Sequence, residues 1–365
     1  MKILVVGSGL SGATIANVFA ENGHSVTILE KRDHIAGNCY DFTNEIGILM
    51  NRYGPHLFHT NSEEVWSYVQ KFAQWMPWKH KVLGCINGTY FPVPVNIGTV
   101  NILLKQELKD ENDMKAWLSQ NTVSYENGPQ NSEEMALSRV GPQLYAQIFK
   151  DYTAKQWNKS PVELNSSVLS RIPVRTDFND NYFSDKYQAL PLHGYTAMVK
   201  NMITHKNIRL LLNTEYTHDM KNVYDYVFYT GPIDSYFSTQ YEKLEYRSLR
   251  FEEETLEVDK FQPVGQVNYT SRTEKYTRII EYKHFLNQKI SNRTTIVKEY
   301  SCDSGEPYYP VPTERNALLY EKYQKLAQSE EKKRIFFVGR LATYKYYNMD
   351  EAILSALKLS KSILE

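Results

Sequence analysis

Apolar and polar positions along this 365-residue chain change period several times, and each change predicts an element. Residues 2–6 are a compact apolar run, 11–21 carry apolar side chains at helical spacing, and 25–30 are apolar again, predicting strand, helix and strand. Residues 62–75 read as a helix with Ser62 as N-cap and Val65, Tyr68, Val69 and Phe72 on one face, ended before Pro77. Residues 81–95 alternate around Asn87-Gly88, a hairpin signal, and Pro92 and Pro94 predict an edge strand. Helical periodicity then dominates at 99–109, 114–120 and 132–150, between Asn/Gly/Pro-rich breaks. After Pro173, strand-like runs at 208–212, 226–229, 265–270, 276–282 and 294–300 predict a largely antiparallel sheet interleaved with returns to the first domain. The C-terminal part predicts a helix over 315–327, a buried strand over 335–338 and an amphipathic helix over 350–364, capped by Asn348 or Asp350.

Composition narrows the function classes. Lys and Arg together number 42, as do Asp and Glu, so no net field favours nucleic acid or an anionic membrane, and any anionic ligand must be met by locally placed arginines. No apolar run approaches a membrane span and no leader precedes the first strand, so a cytoplasmic protein without membrane insertion is expected. Cys39, Cys85 and Cys302 lack metal-ligand spacing, and no metal is expected. Tyrosines outnumber phenylalanines 28 to 15, and an apolar ring with a polar tip suits sugar and nucleotide pockets as well as half-buried sheets.

Gly7-Ser8-Gly9-Leu10-Ser11-Gly12 directly follows the first strand and opens the helix, with Glu30 ending the next strand. In that context the glycines allow a tight turn, close approach of backbone amides to a pyrophosphate and packing of helix on strand, while Glu30 accepts from ribose hydroxyls. Lys31-Arg32, Gly37-Asn38 and Phe337-Val338-Gly339-Arg340 continue a pattern found in flavoproteins, which points to FAD rather than NAD. The stretch 224–231 is similar to the strand that closes such domains. The predicted fold is therefore α/β, a discontinuous Rossmann-like FAD-binding domain (1–78, 191–240 and 315–365) with an inserted helical domain (96–172) and an antiparallel β-sheet domain (79–95, 173–190 and 241–314).

Many separated motifs occur in one order: Tyr53-Gly54-Pro55-His56-Leu57-Phe58-His59-Thr60, Tyr152-Thr153-Ala154-Lys155-Gln156-Trp157, Arg171-Ile172-Pro173-Val174-Arg175, Asn181-Tyr182-Phe183, Tyr246-Arg247-Ser248-Leu249, Tyr276-Thr277-Arg278-Ile279, Pro307-Tyr308-Tyr309-Pro310, Gly339-Arg340-Leu341 and Tyr344-Lys345-Tyr346. Over almost the whole chain they resemble the bacterial UDP-galactopyranose mutase family. The resemblance implies a flavin-dependent isomerase that interconverts pyranose and furanose forms of UDP-galactose through a covalent adduct of sugar and flavin N5, an iminium, with no net redox change. It implies reduced FAD as the active form, an external reductant such as NADPH, a nucleotide-sugar substrate and a homodimer.

The resemblance also implies site residues. Arg171 and Arg278 match the arginines that hold the substrate diphosphate, with Tyr309 and Tyr346 bonding to the same phosphates; His59 counts with the catalytic set, and it and His56 lie in the loop over the isoalloxazine, where flavin hydrogen bonding rather than general-base work is expected. Phe149, Tyr152, Thr153, Trp157, Tyr182 and Asn268 match the substrate pocket, and His80 and Asn348 its sugar side. Gly7, Gly9, Ser11, Gly12, Glu30, Lys31, Asn38, His56, His59, Arg247, Gly339, Arg340 and Met349 match the cofactor site. The segment from Arg171 to Asn181 is the candidate closing loop. Asn51, His80, Asn348 and Ala36 depart from the family pattern, which has His, Asn, Asp and Gly there. Such exchanges in a hydrogen-bonding site fit a changed sugar, UDP-N-acetylgalactosamine or dTDP-6-deoxy-galactose, as well as UDP-galactose. A remoter alternative is an FAD oxidoreductase of the amine-oxidase type, which predicts an apolar substrate cavity.

Overall fold

The opening apolar runs form β1 (Lys2–Val6), α1 (Leu10–Glu21) and β2 (Ser25–Leu29) in a computed structural model that describes residues 1–170 and 172–365. Arg171, expected at the substrate diphosphate, lies outside the described residues. Ile3, Leu4 and Val5 are wholly buried because both faces of their sheet are covered, as continuous apolar strands require. That sheet is parallel, in the order Ile208–Leu211, β2, β1, Tyr226–Tyr229 and Ile335–Phe337. Its strands come from three separate stretches of chain. Tyr226–Tyr229 lies inside the sheet and Ile335–Phe337 forms the edge, so the strand expected to close the domain is an interior one.

The second sheet has seven strands, in the order Tyr309–Pro310, Tyr246–Leu256, Thr294–Cys302, Arg278–Glu281, Gln266–Tyr269, Val82–Ile86 and Thr89–Val93. It is antiparallel except where Gln266–Tyr269 runs parallel to Val82–Ile86. The Asn87-Gly88 turn and the edge position of the proline-bearing strand agree with the pattern. Tyr246–Leu256, the longest strand, is not visible in the pattern, because its outer half carries Arg250, Glu252, Glu253 and Glu254 facing solvent. Lys298 and Arg52 pair with two of those carboxylates.

A small third sheet corrects two expectations. The helix predicted over 62–75 ends early, at Glu63–Val69, where the Ser62 hydroxyl accepts from the Val65 amide at 3.2 Å. Trp75–Pro77 is a strand beside Tyr187–Pro191, which also pairs with Phe58–Thr60. Most of that middle strand falls in the 173–190 segment grouped by pattern with the larger sheet. Rings drive the arrangement, with Phe58 against Trp75 at 4.9 Å and Trp66 stacked on Tyr187 at 5.0 Å.

The helices Ile97–Leu104, Glu111–Asn121, Ser132–Leu144 and Lys150–Trp157 share a core with Val82, Phe91 and Val93 of the second sheet. The helix expected over 132–150 is broken where Gly141 takes φ of 76° ahead of Pro142, and a π-turn follows at Tyr145–Phe149. A Cβ at Gly141 would meet the Asn121 carbonyl oxygen at 2.2 Å, so only glycine fits there. The break redirects the chain into Lys150–Trp157. The last helix, Met349–Leu364, is capped at Asn348, whose amide donates to Glu351 at 2.7 Å. Among the described residues no helix is long and apolar enough to cross a membrane.

Candidate active site

Because the five strands of the first sheet are parallel, the loops leaving β1, Tyr226–Tyr229 and Ile335–Phe337 converge at one end. They open onto a cleft of about 1340 Å³. Gly7, Gly9, Ser11 and Gly12 form one wall at the start of α1, and Glu30, Lys31 and Asn38 the next. Gly12 has no room for a side chain, since a Cβ would meet the Gly7 oxygen at 2.0 Å, whereas the nearest atom to a Cβ on Gly9 is 3.8 Å away. The Glu30 carboxylate accepts from the Ser8 amide at 2.9 Å, the Ser8 hydroxyl at 2.7 Å and the Arg32 amide at 3.0 Å, which sets its orientation. Arg32 in turn donates to Asn38 at 3.1 Å and lies 4.4 Å from the Tyr53 ring centroid. Ala36 is buried with φ of 73°, a left-handed conformation that accounts for the glycine expected there.

His56, Arg247, Gly339, Arg340, Asn348 and Met349 line the same cleft, with Gly339 packed against Ser11. The His56 Nδ1 donates to the Gly54 carbonyl at 2.8 Å, and burial, with Arg340 and Arg278 adding, drives its pKa down to about 4. His56 is thus neutral and holds Nε2 as an acceptor. Arg247 is nearly fully buried, pairs with Asp303 and donates to the Gln156 carbonyl at 3.0 Å. Cys39 lines the same cleft 3.7 Å from the Met349 sulfur, and burial pushes its pKa up to about 12. Trp157 also reaches the cleft, its indole N–H buried and without a partner among the described residues.

Other residues expected at the substrate do not line this cleft but form a cluster against it. Arg340 joins the two, its guanidinium 5.3 Å from the ring centroids of both Tyr309 and Tyr346, which stack on each other at 5.2 Å. Arg278 projects from the second sheet opposite Asn268 on one neighbouring strand and Glu299 on the other. Its Nη2 donates to Glu299 at 2.7 Å, while its buried Nε has no partner among the described residues. Burial opposes the Arg278 charge, but Glu299, Tyr309 and Tyr152 more than offset this and hold its pKa above the usual value. His80 is buried 6.0 Å from the Tyr182 ring and 6.3 Å from Phe183, and burial drives its pKa down to about 3. His59 stacks on Phe183 at 3.8 Å and its Nδ1 donates to Asp185 at 3.0 Å. Phe149 and Thr153 are buried, Phe149 within the helical core with Leu144 and Ile148, and neither lines the cleft.

Glu299, Asp185 and Phe183 were given no role from sequence. A glutamate among the apolar residues of Thr294–Cys302 was the available signal, because a buried carboxylate needs a cation on an adjacent strand.

A family model described as UDP-galactopyranose mutase matches residues 147–346, and one described as NAD(P)-binding Rossmann-like domain matches residues 5–72. A probable UDP-galactopyranose mutase of Klebsiella pneumoniae is 42% identical over all of this chain and 94% of its own length. The chain belongs to the UDP-galactopyranose mutase family. Membership makes it a mutase, an enzyme of the isomerase class, with a nucleotide sugar as its type of substrate. A dTDP-fucopyranose mutase of Escherichia coli is 37% identical over 99% of the chain and 97% of its own length. The crystal structure of a reduced UDP-galactopyranose mutase superimposes with a TM-score of 0.81 at 17% identity, over 100% of this chain and 95% of that one, so this mutase shares its fold.

Proposed function

We propose that the chain interconverts the pyranose and furanose forms of UDP-galactose with reduced FAD held in the cleft. The observation that carries this reading is Arg278, a half-buried guanidinium whose buried Nε–H has no partner among the described residues, set among Tyr152 and Tyr309 beside a dinucleotide cleft. An orphaned buried donor is costly unless an anion arrives, and a diphosphate supplies one in matching geometry. An apolar amine-oxidase cavity gives such an edge nothing to bind.

The cleft fits FAD. A Cβ on Gly37 would lie 2.9 Å from the Gly9 Cα, so the two backbones close on each other without side chains, and the amides opening α1 remain available to a pyrophosphate. Glu30 is oriented for the adenosine ribose, Arg340 and His56 for the flavin end, and Arg247 for the phosphates. Reduced FAD, when bound, would supply a nucleophilic N5 with no net change in its oxidation state. Arg278 and Arg171 grip the substrate diphosphate with the Tyr309 and Tyr346 hydroxyls. These groups stabilise charge that grows as the anomeric C–O bond breaks, and they keep the leaving group in place for its return. Tyr152, Trp157 and Asn268 hold the nucleoside, and His80, Tyr182 and Asn348 face the sugar. Asp185 sets the tautomer of His59, leaving its Nε2 as a hydrogen-bond acceptor toward the flavin side of the site. An external reductant such as NADPH, a cytoplasmic location and a homodimer go with this reading.

The 37% identical dTDP-fucopyranose mutase favours a second reading, the same chemistry on dTDP-6-deoxy-galactose, and His80 is the departure best placed to accompany it. Measuring kcat/KM of the reduced protein for UDP-galactopyranose and dTDP-fucopyranose in one competition decides between them. Preference for the UDP-sugar supports the first reading, and preference for the dTDP-sugar replaces it with the second.

A further inference from the structure

Lys155 has no role in the scheme above, yet its surroundings are specific. It lies on Lys150–Trp157, the helix that carries Tyr152, Thr153 and Trp157. Its Nζ lies within hydrogen-bond distance of four backbone carbonyl oxygens, those of Tyr269 at 2.7 Å, Ser271 at 2.8 Å, Tyr276 at 2.9 Å and Glu274 at 3.0 Å, so its three N–H groups are shared among four acceptors. Tyr269 ends the strand Gln266–Tyr269, and the other three belong to the turn that joins it to Arg278–Glu281, so the cage sits at the tip of the hairpin that bears Asn268 and Arg278. Arg272, on the same turn, pairs with Asp151 of the same helix at 2.7 Å. Carbonyl dipoles converging on one point repel each other and remain poorly satisfied unless a cation sits between them.

We propose that Lys155 is a positioning residue whose ammonium locks the Arg278 hairpin onto the helix bearing Tyr152 and Trp157. The nucleoside end and the diphosphate end of the substrate are thereby held at one separation. The proposal rests on the nucleotide-sugar reading, since only a ligand spanning both elements feels that separation. Its chemistry is that of a cation in a cage of four carbonyl oxygens. A truncated side chain leaves a cage that a small free alkylammonium can refill.

The test uses the full FAD-loaded protein and its Lys155→Met, Lys155→Arg and Lys155→Ala variants, with UDP and dTDP titrated by calorimetry and turnover followed on the preferred sugar. Lys155→Met is expected to weaken nucleotide binding and raise KM by about tenfold, the scale of a lost set of charge-assisted bonds, with a smaller change in kcat and unchanged flavin content. Lys155→Arg keeps most of the affinity, and ethylammonium restores part of it to Lys155→Ala. A role in general stability alone would lower the melting temperature without separating KM from kcat and without rescue. Lys155→Met binding nucleotide as wild type does, or Lys155→Ala indifferent to ethylammonium, overturns the proposal. Should Lys155→Met not fold, the Lys155→Arg affinity and the Lys155→Ala rescue decide. Wild-type protein that binds neither nucleotide overturns the nucleotide-sugar reading itself, an outcome distinct from failure of the clamp.

Discussion

Replacing Arg278 by methionine and Glu299 by glutamine together separates substrate binding from folding. Arg278→Met alone strands the Glu299 carboxylate, only 5% exposed, with its cation gone, and breaking one side of a buried pair costs about 3–5 kcal/mol of stability. Loss of activity in that single variant is therefore ambiguous. The double variant removes both charges at similar volume, and a buried pair replaced whole is often close to neutral, so the melting temperature is expected to stay near wild type. Catalysis should not be spared. One preorganised donor to a developing oxyanion is worth about 3–4 kcal/mol, so kcat should fall by about 100- to 1000-fold. The assay is turnover of the reduced protein on its preferred nucleotide sugar, with thermal melting and flavin absorbance on the same samples. A folded, flavin-bearing double variant within about tenfold of wild-type kcat refutes the assignment of Arg278 to the diphosphate, because a factor of ten is only about 1.4 kcal/mol. Flavin loss with folding intact also refutes it.

Three further outcomes follow from the geometry. Gly9→Ala has room for its Cβ in the protein but projects it toward the pyrophosphate, so it should fold normally and retain little FAD, whereas Gly12→Ala should lower stability as well; flavin content per mole and thermal melting separate the two. Glu281 is wholly buried, and the bonds it accepts from His284, Thr294, Gln262 and Phe261 outweigh burial and hold its pKa below the usual value. Its contribution is therefore complete above the unfolded carboxylate value and is lost as pH falls through the lower folded value, so Glu281→Gln should cost about 1.5–3 kcal/mol at neutral pH and progressively less in acid by denaturant melts. His56 and His80, with pKa values near 4 and 3, should give imidazole NMR signals that do not titrate above pH 5; because the unfolded chain protonates first, both should make the fold less stable as pH drops below about 6.5.

What was legible in the sequence was local chemistry. Gly7, Gly12 and Glu30 stand in short-range register, so strand, turn and helix, and the cleft they build, follow from spacing alone. The parallel core was legible because strands buried on both faces read as unbroken apolar runs. The Arg278–Glu299 pair and the carbonyl cage of Lys155 depend on cross-strand register and on a helix docking against a distant turn, and neither leaves a periodic trace. Tyr246–Leu256 was hidden by its solvated charges, and the break at Gly141 by a helical period that continues on both sides of it. Cys39 meets Met349 across 310 positions of sequence, a contact that no local pattern records.

The most direct test of the account is the anomeric region of the proton NMR spectrum of UDP-galactopyranose incubated with the FAD-loaded protein, with and without dithionite. New furanose signals, approached from either direction and present only with the reduced protein, are the predicted result. No furanose from either UDP-galactopyranose or dTDP-fucopyranose under reduction, or equal conversion by the oxidised protein, would contradict it.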